Sequence, residues 1–453
     1  MEPRTYFVKT FGCQMNEHDS QKIEGLLSKI GFVAADSMEK ANLILFNTCT
    51  VRAKAHQKAF SEIGKAIVFK RSYQPSAVSR QLIGVCGCVA QEEGSRLLSR
   101  FPDLDLIFGP DQIYRLPQLL GLLEKTKRPA IATELINKAE DYHFLDATPA
   151  LRIFGPTAYV TIMKGCNSQC SYCIVPTVRG KEVYRPSREI LREVDQLVQN
   201  GVKEVTLLGQ NVNSYGQGAE DKISFAKLIR LIAENTDIQR IRFTSPHPKD
   251  CKEDLMEEYA QNSKLCPHIH LPLQSGSDTV LRRMRRAYNI RTFKEKVEKL
   301  REAKEDIAIS TDMIVGFSQE TDEEFNETID FIRETNFDAM YAFKYSPRPG
   351  TEAHAFPDDV LPEVKVARLQ RLLDLQNEIS ERLNRRLLGT LQEVLVEGMD
   401  KRGRGKWSGR TLGNKITNFS GKEGLLGAIV KVRVTKVYPN SLEGEFKEDN
   451  VAI

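Results

Sequence analysis

Several features that mark membrane, secreted or repetitive proteins are missing from this sequence. No apolar run reaches the roughly 18 residues that a membrane-spanning helix needs. The first residues, Met1–Thr10, lack the basic start and the apolar core of a secretory signal. There is no repeat of solenoid period and no low-complexity tract. We therefore expect a globular protein of the cytoplasm that does not associate with membranes.

An excess of charge of one sign is also lacking over most of the chain. The 453 residues include 65 Lys plus Arg, 61 Asp plus Glu and 41% hydrophobic residues. This is a globular composition, and its length suggests about three domains at ~150 residues each. From Glu381 to the end, however, 14 basic residues stand against 9 acidic residues, so this segment carries a net charge of +5 and the remainder carries −1. A surface that binds a polyanion is expected in this C-terminal segment.

The nine cysteines are the first informative feature. In a reducing compartment, cysteines serve more often as metal ligands or catalytic groups than as disulfides. Three lie in one short run, four are spread over the first ninety residues, and two stand alone: Cys166, Cys170 and Cys173; Cys13, Cys49, Cys86 and Cys88; Cys251 and Cys266. The last two have no partner at metal spacing and are expected to be bystanders.

Residues 1–136 alternate short apolar runs with amphipathic stretches. Helices are predicted at Asp19–Ile30, capped by Asp19 or Ser20, and at Gln91–Phe101, and strands at Thr5–Thr10, Ala41–Asn47 and Gln81–Val85. Strand followed by helix, repeated, predicts a Rossmann-like open parallel sheet.

Three cysteines of this region, Cys13, Cys49 and Cys88, each follow one of the predicted strands. Ligands of open α/β sheets bind beyond the carboxyl ends of the strands. Three thiols delivered to that edge predict a metal site. Three buried structural cysteines are the alternative interpretation, which stays open at this point.

A polar linker is expected at residues 137–152, after which strands and helices alternate again over residues 153–382. Helices there include Ser187–Asn200 and Thr321–Thr335, and six strands are predicted, at Ala158–Met163, Glu204–Leu208, Ile241–Thr244, His268–Leu273, Ile307–Val315 and Asp338–Tyr345. Six such units indicate a partial (β/α)6 TIM-like barrel, with active-site residues just after the strands. Residues 383–453, with β-branched runs and Gly-rich turns, predict a small antiparallel β-barrel. The fold class is therefore α/β multidomain.

The strongest chemical signal is the C-x-x-x-C-x-x-C run of Cys166, Cys170 and Cys173, directly after the first barrel strand. Three thiolates so close in sequence can hold one 4Fe–4S cluster and leave its fourth iron open to a small molecule. A structural zinc site would be closed by a fourth Cys or His. The nearest histidines, His143 and His247, are in the wrong places for that role.

This run, with Tyr172 before its last cysteine, resembles the signature of the radical S-adenosylmethionine (SAM) superfamily. Three further segments resemble the cysteine motifs of the methylthiotransferases within it: Phe11–Asn16, Phe46–Arg52 and Gly87–Gln91. Other segments are similar to the central domain and the C-terminal TRAM domain of the same family: Gly165–Gly180, Leu271–Ser277, Thr311–Gly316, Tyr345–Thr351, Trp407–Arg410 and Ser441–Gly444. The resemblance covers nearly the whole chain.

The resemblance implies an enzyme with two 4Fe–4S clusters, an auxiliary one on Cys13, Cys49 and Cys88 and a SAM-cleaving one on Cys166, Cys170 and Cys173. It also implies two equivalents of SAM, one to methylate a sulfur at the auxiliary cluster and one to generate a 5′-deoxyadenosyl radical. Implied partners are the tRNA anticodon stem-loop, an electron donor such as flavodoxin or ferredoxin, and iron–sulfur assembly or carrier proteins. We expect a monomer and assign no acid or base residue.

Within the family, the Gly-Cys-Gln-Met-Asn sequence at Gly12–Asn16 is similar to the MiaB branch, which converts isopentenyladenosine beside the anticodon to its 2-methylthio derivative. Branches that act on threonylcarbamoyladenosine in tRNA or on ribosomal protein are the alternatives of the same class. An iron–sulfur electron-transfer or RNA-binding protein is the alternative of another class. Three cysteines per cluster disfavour an electron carrier, which usually encloses its cluster with four ligands.

The third auxiliary ligand is ambiguous because Cys86 lies two residues before Cys88. We choose Cys88, since it occupies the Gly-Cys-Val-Ala-Gln position of the motif. The alternation of a strand would nevertheless point Cys86 to the same face, where it could replace Cys88.

Three further residues join Tyr172 as candidate SAM contacts. Gln210 and Asn211 follow the second barrel strand, where the superfamily contacts the amino group of SAM, although a polar turn is an equal alternative. Gly316, after the fifth strand, could let the adenine of SAM approach the backbone or could simply make a turn.

Two basic segments are candidate RNA contacts. Arg282, Arg283, Arg285 and Arg286 place four guanidiniums on one predicted helical segment, which suits phosphate binding; a solvated helix face is the alternative. The C-terminal barrel combines charge with stacking groups, as RNA binders do, with Lys415 and Phe419 beside Lys401, Arg402, Arg404, Lys406, Trp407 and Arg410. An ordinary barrel with a flexible loop is the alternative there.

Overall fold

The computed structural model describes residues 3–50, 53–72, 81–138, 140–145, 155–217, 222–403 and 405–451. The chain divides into two compact units. The first contains the chain up to residue 145 together with Met163–Ser168 and Ile174–Arg185, and the second contains the other residues from 155 onward. The division at residues 136, 152 and 382 stays a proposal, and residues 139 and 146–152 of the predicted linker lie outside the described residues.

The first unit is built on a six-stranded parallel sheet in the order β2-β1-β3-β4-β5-β6, which confirms the predicted fold class. Its strands are β1 (Thr5–Thr10), β2 (Val33–Ala34), β3 (Leu43–Thr48), β4 (Leu82–Gly87), β5 (Leu106–Phe108) and β6 (Ala130–Ala132). Its helices are α1 (Gln14–Lys29), α2 (Ala53–Ser72), α3 (Cys88–Glu93), α4 (Arg96–Arg100) and α5 (Leu116–Thr126).

The position of β3 inside the sheet explains why its residues Leu43–Phe46 are all apolar. Leu43 and Leu45 pack into one apolar layer of the first unit, whereas Ile44 and Phe46 pack into a second layer. A parallel strand covered on both faces buries every side chain, so it shows no alternation of polar and apolar residues.

Two predicted helices have different bounds in the structure. Helix α1 begins at Gln14 with Cys13 as its N-cap, so Asp19 and Ser20 lie buried inside it and neither is its cap. The helix predicted at Gln91–Phe101 is two helices, because Gly94 has φ +53° and ends α3.

Four short elements follow along the chain: β7 (Thr157–Thr161), β8 (Met163–Lys164), α6 (Val175–Arg179) and β9 (Val183–Tyr184). Strands β8 and β9 pair antiparallel and belong with α6 to the first unit, whereas β7 belongs to the second. In the first unit the Lys164 ammonium is fully buried and lies 2.7 Å from the carboxylate of Asp111.

The second unit contains six parallel strands in two sheets of three, ordered β11-β10-β7 and β12-β13-β14, as expected for a partial barrel. Its remaining strands are β10 (Glu204–Leu208), β11 (Arg240–Phe243), β12 (His268–His270), β13 (Ala308–Val315) and β14 (Ala339–Lys344). The helices are α7 (Ser187–Gln199), α8 (Phe225–Asn235), α9 (Glu253–Gln261), α10 (Asp278–Arg283), α11 (Ile290–Ala303), α12 (Asp322–Thr335) and α13 (Pro362–Arg385).

The chain ends in a closed five-stranded barrel of order β15-β16-β17-β19-β18, also part of the second unit. Its strands are β15 (Leu391–Met399), β16 (Trp407–Thr411), β17 (Ile416–Ser420), β18 (Ile429–Tyr438) and β19 (Ser441–Val451). Among the described residues, no helix is long and apolar enough to cross a bilayer.

Buried arginines of β11 join this terminal barrel to the parallel strands. Arg240 donates to Glu393 Oε1 at 2.9 Å, and Arg242 donates to the carbonyl oxygen of Thr411 at 2.8 Å. The Glu204 carboxylate lies 2.9 Å from Arg242 and compensates its charge. Because buried charges are tolerated only when they are paired and hydrogen-bonded, these contacts hold the terminal barrel in place.

Candidate functional site

Three cysteines of the first unit lie where a strand passes into a helix, at the carboxyl edge of the parallel sheet. Cys13 follows β1 and caps α1, Cys49 follows β3, and Cys88 is the first residue of α3 after β4. The thiols of Cys13 and Cys49 interact by a hydrogen bond, and Cys88 is close enough for its charge to interact with that of Cys13. The fold therefore brings these three residues together from three separate parts of the sequence.

Two glycines allow the backbones to approach closely at this edge. A Cβ at Gly12 would lie 2.6 Å from the Cβ of Cys49, and a Cβ at Gly87 would lie 2.4 Å from Asn47 Oδ1. A Cβ is essentially never found this close to a non-bonded atom, so a larger residue at either position would displace the cysteine-bearing loops. Gly87 also has φ +86°, a conformation that glycine adopts without steric cost.

The environment of Cys13 favours its thiolate. The hydrogen bond with Cys49 lowers the pKa of Cys13 to about 6, and burial opposes this effect. The charge of Arg179 and the backbone N–H groups of Asn16 and Met15 also contribute to this lowering. Those N–H groups belong to the first turn of α1, where a helix stabilises a neighbouring anion.

Arg179, the last residue of α6, brings a buried cation to these thiols. Its side chain is 5% exposed, and its Nη2 donates to Asp19 Oδ2 at 2.8 Å. It also donates a hydrogen bond to Cys88, whose pKa is raised by burial and lowered by this guanidinium. No role was expected for Arg179 from the sequence, where the only signal is its position within the motif Gly165–Gly180.

Cys86 is separated from this group. Its side chain is fully buried in the apolar layer that contains Leu43 and Leu45, whereas Cys88 packs against Ile174 and Val178. The expectation that Cys86 and Cys88 share a face is wrong, because β4 ends at Gly87 and Cys88 already belongs to a helix. Burial raises the pKa of the Cys86 thiol well above its ordinary value.

This set of residues fits an iron–sulfur cluster. Among the described residues, no three His, Cys, Asp or Glu side chains are arranged to hold a single metal ion. A cluster is held by thiolates on different irons, so its ligands lie farther apart than those of one ion. Converging thiols, one of them with a low pKa, and an adjacent guanidinium form a suitable donor set for such a cluster.

The C-x-x-x-C-x-x-C run contributes residues to both units. In the first unit, the N–H of Cys166 donates to the carbonyl oxygen of Gly180 at 3.1 Å. In the second unit, the N–H of Cys173 donates to the carbonyl oxygen of Cys170 at 3.1 Å. The side chains of Cys166, Cys170 and Cys173 are all partly exposed, so they are accessible to a ligand.

Arg286 contacts this run within the second unit. Its Nη1 lies 3.2 Å from the Sγ of Cys170, its Nε donates to Tyr288 Oη at 2.7 Å, and its Nη2 donates to the carbonyl oxygen of Pro272 at 3.0 Å. These three contacts hold the guanidinium of Arg286 beside the cysteine loop. Contact with RNA, predicted for Arg286 from the sequence, would require it to leave them.

The other arginines of that basic run do not share one helical segment. Helix α10 ends at Arg283, and Arg285 has φ +54°, so the predicted continuous helix is wrong. Arg283 pairs with Glu324 at 2.6 Å, and Arg285 pairs with Glu352 at 2.6 Å. Arg282 is exposed and donates to Thr279 Oγ1 in its own helix.

The candidate SAM contacts of the second unit occupy different environments. Tyr172 packs edge-on against Phe317, with ring centroids 6.4 Å apart. Asn211 is buried and its Nδ2 donates to Asp250 Oδ2 at 2.9 Å, whereas Gln210 is half-buried. At Gly316 a Cβ would lie 2.4 Å from Cγ of Lys365. Gly316 also has φ +69°, so its backbone conformation and the Lys365 side chain together account for glycine at that position.

The C-terminal barrel presents a basic loop. Lys401 and Arg402 are exposed, and Arg404 lies outside the described residues. Lys406 pairs with Glu443 at 2.6 Å and Arg410 with Glu397 at 3.4 Å. The indole of Trp407 is half-buried and donates to the carbonyl oxygen of Lys422. Phe419 was expected to provide a stacking ring, but it is fully buried in the barrel core.

Comparison with known families assigns a match to each part of this architecture. The model of "Uncharacterized protein family UPF0004" matches residues 5–109, that of the radical SAM superfamily matches residues 160–332, and that of the TRAM domain matches residues 385–447. The first match contains the three cysteines of the sheet edge, and the second contains the C-x-x-x-C-x-x-C run.

Solved structures support the fold. The cobalamin-dependent SAM radical enzyme OxsB superposes with a TM-score of 0.53 at 14% identity over 82% of this chain and 56% of its own, so the match spans little more than half of that enzyme. The radical SAM methyltransferase TsrM from Kitasatospora setae gives a TM-score of 0.54 at 12% identity, over 86% of this chain and 77% of its own.

Curated relatives match over the full length. A protein of Geobacter sulfurreducens is 46% identical over 99% of this chain and 98% of its own. One of Syntrophotalea carbinolica is 43% identical over 98% and 99%. Both are named tRNA-2-methylthio-N(6)-dimethylallyladenosine synthase. With cysteines placed as this fold places them and with relatives this similar, the chain belongs to the radical SAM methylthiotransferase family.

Proposed function

We propose that this protein is a tRNA methylthiotransferase that converts N6-dimethylallyladenosine beside the anticodon to its 2-methylthio derivative. The observation that carries the proposal is the convergence of Cys13, Cys49 and Cys88 at one sheet edge in a chain that also has the C-x-x-x-C-x-x-C run. Two sets of three cysteines suit two clusters with an open iron each. The names of relatives that are 43% and 46% identical support the substrate.

Under this proposal, Cys166, Cys170 and Cys173 hold the cluster that binds SAM, and Cys13, Cys49 and Cys88 hold the auxiliary cluster. When bound, the clusters and SAM supply electron transfer, a radical and a methyl group, and two equivalents of SAM are used. Arg179 and Arg286 offset the charge of the cysteine thiolates through contacts with Cys88 and Cys170.

Residues of the second unit are proposed to position SAM and to limit the access of water. Tyr172, within the cysteine loop, packs on the fully buried Phe317, and exclusion of water protects a reactive intermediate. Gln210 and Asn211 follow β10 and are proposed to contact the amino group of SAM. Gly316 stays a predicted contact of its adenine, although its backbone conformation and Lys365 already explain the glycine.

The RNA partner is proposed to be a tRNA anticodon stem-loop, bound in part by the basic barrel at the C-terminus. The contacts proposed from charge and stacking are Lys401, Arg402, Arg404, Lys406, Trp407 and Arg410. The exposed Arg282 is a further candidate, whereas Arg283, Arg285 and Arg286 are weaker ones because Glu324, Glu352 and Cys170 already contact them. The proposal also includes two kinds of protein partner, a flavodoxin or ferredoxin as electron donor and iron–sulfur assembly proteins. It further includes a monomeric state and a cytoplasmic location.

Reconstitution in vitro tests the proposal. The full chain, purified without oxygen and loaded with iron and sulfide, is expected to hold about eight of each per chain, the content of two 4Fe–4S clusters. With SAM, a reductant and an anticodon stem-loop that carries N6-dimethylallyladenosine, mass spectrometry should detect the methylthio product. Product from a threonylcarbamoyladenosine stem-loop alone would assign the chain to the other tRNA branch. Four iron per chain with no SAM cleavage would favour a simple iron–sulfur protein.

A further inference from the structure

Strands β12, β13 and β14 direct alternate side chains to one face of their sheet. In the register of these strands, Ser310 is paired with His270 and Ala339, Asp312 with Tyr341, and Ile314 with Phe343. Residues paired in this way point to the same side. We call this side the inner face, consisting of His268, His270, Ala308, Ser310, Asp312, Ile314, Ala339, Tyr341 and Phe343.

The opposite side of the same strands is covered by helices. Ile309, Met313 and Val315, the alternate residues of β13, are all buried. Helix α13 packs against β14, and its Gln376 donates to the carbonyl oxygen of Phe337 just before that strand. The inner face is therefore the concave side of the partial barrel.

Two aromatic rings on the inner face are open to solvent. Tyr341 is 56% exposed and Phe343 is 42% exposed, and they lie two residues apart on β14, so both rings are on the same face. A barrel interior is normally filled by packed side chains. Adjacent exposed rings at this position leave apolar surface for a flat ligand.

A polar group accompanies the rings. His270 Nε2 lies 3.3 Å from Asp312 Oδ2, and His270 Nδ1 lies 3.0 Å from Ser310 Oγ. The histidine is thereby fixed on both sides and orients the carboxylate, which stays 31% exposed. The ring of His270 also lies 5.8 Å from that of Tyr341. An oriented hydrogen-bond acceptor therefore stands beside an aromatic surface.

One end of the inner face, at Ile314, lies next to the cysteine loop. Ile314 packs into the apolar cluster that contains Tyr172 and Phe317, and Tyr172 lies between Cys170 and Cys173 in sequence. Asp312 lies two residues before Ile314 on the same strand, a distance of about 7 Å. A ligand on the inner face would thus be held near the residues proposed to bind SAM.

We propose that the inner face binds the base that is modified, and this inference rests on the proposed function. The adenine ring stacks on Tyr341, Asp312 accepts a hydrogen bond from the exocyclic N6–H, and Phe343 contacts the alkyl group on N6. Stacking on aromatic rings is the usual way in which an unpaired base is bound.

The same face favours one tRNA substrate over another. Its nine residues include an aspartate and no lysine or arginine. A threonylcarbamoyl group carries a carboxylate, which Asp312 would repel, whereas a dimethylallyl group is uncharged and suits the ring of Phe343. Specificity of this kind depends on the repulsive contact as much as on the attractive one.

Equilibrium binding to three anticodon stem-loops tests this assignment. The loops carry adenosine, N6-dimethylallyladenosine or threonylcarbamoyladenosine at the target position and are titrated into the full, cluster-loaded chain. We expect Tyr341→Ala to weaken binding of the dimethylallyl loop about tenfold, or 1.4 kcal/mol, and Tyr341→Phe to retain it. Asp312→Asn should bring the affinity for the threonylcarbamoyl loop closer to that for the dimethylallyl loop.

Tyr438→Ala is the matched control, because Tyr438 is a 44% exposed aromatic residue of the C-terminal barrel. It should leave the ratio of the affinities for the three loops unchanged. Iron content and circular dichroism establish that each variant is folded. Preference for the dimethylallyl loop that survives unchanged in Tyr341→Ala and Asp312→Asn would overturn the inference alone. A wild-type chain that binds none of the loops would overturn the proposed function and the inference with it.

Discussion

The guanidinium of Arg179 joins a carboxylate to a cysteine: its Nη2 lies 2.8 Å from Asp19 Oδ2, and it donates a hydrogen bond to the thiol of Cys88. Both charged side chains are only 5% exposed. A buried arginine is stable only when its donors and charge are satisfied. In this protein, Asp19 and the cysteines provide that compensation, so the arginine and the cysteine site depend on each other.

Replacing Arg179 should therefore alter the auxiliary site. We expect Arg179→Gln to shift the midpoint potential of the auxiliary cluster to a more negative value, because removal of a nearby cation and of donors to sulfur stabilises the oxidised state. Redox titration followed by electron paramagnetic resonance measures this in a full chain with Cys166, Cys170 and Cys173 changed to alanine. Arg96→Gln, at a residue 69% exposed in the same unit, is the control. Equal potentials in the Arg179→Gln variant and its parent would contradict the account.

Arg286 should act in the same way on the other cysteine set. With Cys13, Cys49 and Cys88 changed to alanine, Arg286→Gln is expected to make the remaining cluster harder to reduce, because the contact with Cys170 Sγ is lost. Its partners should leave little of the guanidinium for RNA, so binding of a stem-loop should weaken less in Arg286→Gln than in Lys401→Gln. The opposite order of the two affinities would restore Arg286 as an RNA contact.

Alkylation of the cluster-free chain should depend on pH in a residue-specific way. The pKa of Cys13 is lowered to about 6, so its thiolate predominates above pH 6 and its reaction with iodoacetamide should already be near its maximum at pH 7. The raised pKa and burial of Cys86 should leave that thiol unreactive at pH 8. Mass spectrometry of peptides after timed alkylation measures both rates. The hydrogen bond with Cys49 is the largest cause of the lowered pKa, so Cys49→Ala should raise the pH at which the alkylation rate of Cys13 is half its maximum. If this pH is near 9 in the wild-type chain, the interpretation is refuted.

The buried network between β11 and the terminal barrel should matter for stability. Arg242→Ala leaves Glu204 as a buried charge without its closest partner, which costs about 3–5 kcal/mol. Thermal unfolding followed by calorimetry should show a lower transition temperature for the second unit. In Arg333→Ala the broken pair with Asp330 is exposed on both sides, 59% for the arginine and 75% for the aspartate, so its transition should move much less. A similar shift in both variants would show that the network adds nothing beyond a surface pair.

Much of the fold is predictable because its signals are local. The apolar run of β3 and the strands that alternate with amphipathic helices are fixed by burial. The partial barrel follows from its six predicted strands, and the terminal barrel follows from β-branched runs and Gly-rich turns. The start of α1 could not be predicted in this way, since Cys13 serves as its N-cap without an ordinary capping side chain. The Cys86 error has a similar cause, because Gly87 ends a strand that periodicity would continue.

The parts of the site that were missed depend on contacts between distant segments. Arg179 meets Asp19 across 160 residues, and His270 meets Asp312 across 42, so neither pair is visible as a motif. The six proposed cluster ligands were predicted from the C-x-x-x-C-x-x-C spacing, from cysteines that follow predicted strands and from the family resemblance, and their role as ligands stays a prediction. The RNA-binding role predicted for the arginine run is weakened, because arginine is common on protein surfaces. Charge alone does not reveal that Arg286 is held by Cys170 and Tyr288.

The central claim is tested most directly by nucleoside mass spectrometry of tRNA from cells that lack this gene and carry either the wild-type chain or Cys170→Ala. The account predicts that the wild-type chain restores 2-methylthio-N6-dimethylallyladenosine, and that Cys170→Ala leaves the unmethylthiolated N6-dimethylallyladenosine to accumulate. Full restoration of the methylthio nucleoside by Cys170→Ala would contradict the account, as would a deletion that removes only the methylthio derivative of threonylcarbamoyladenosine.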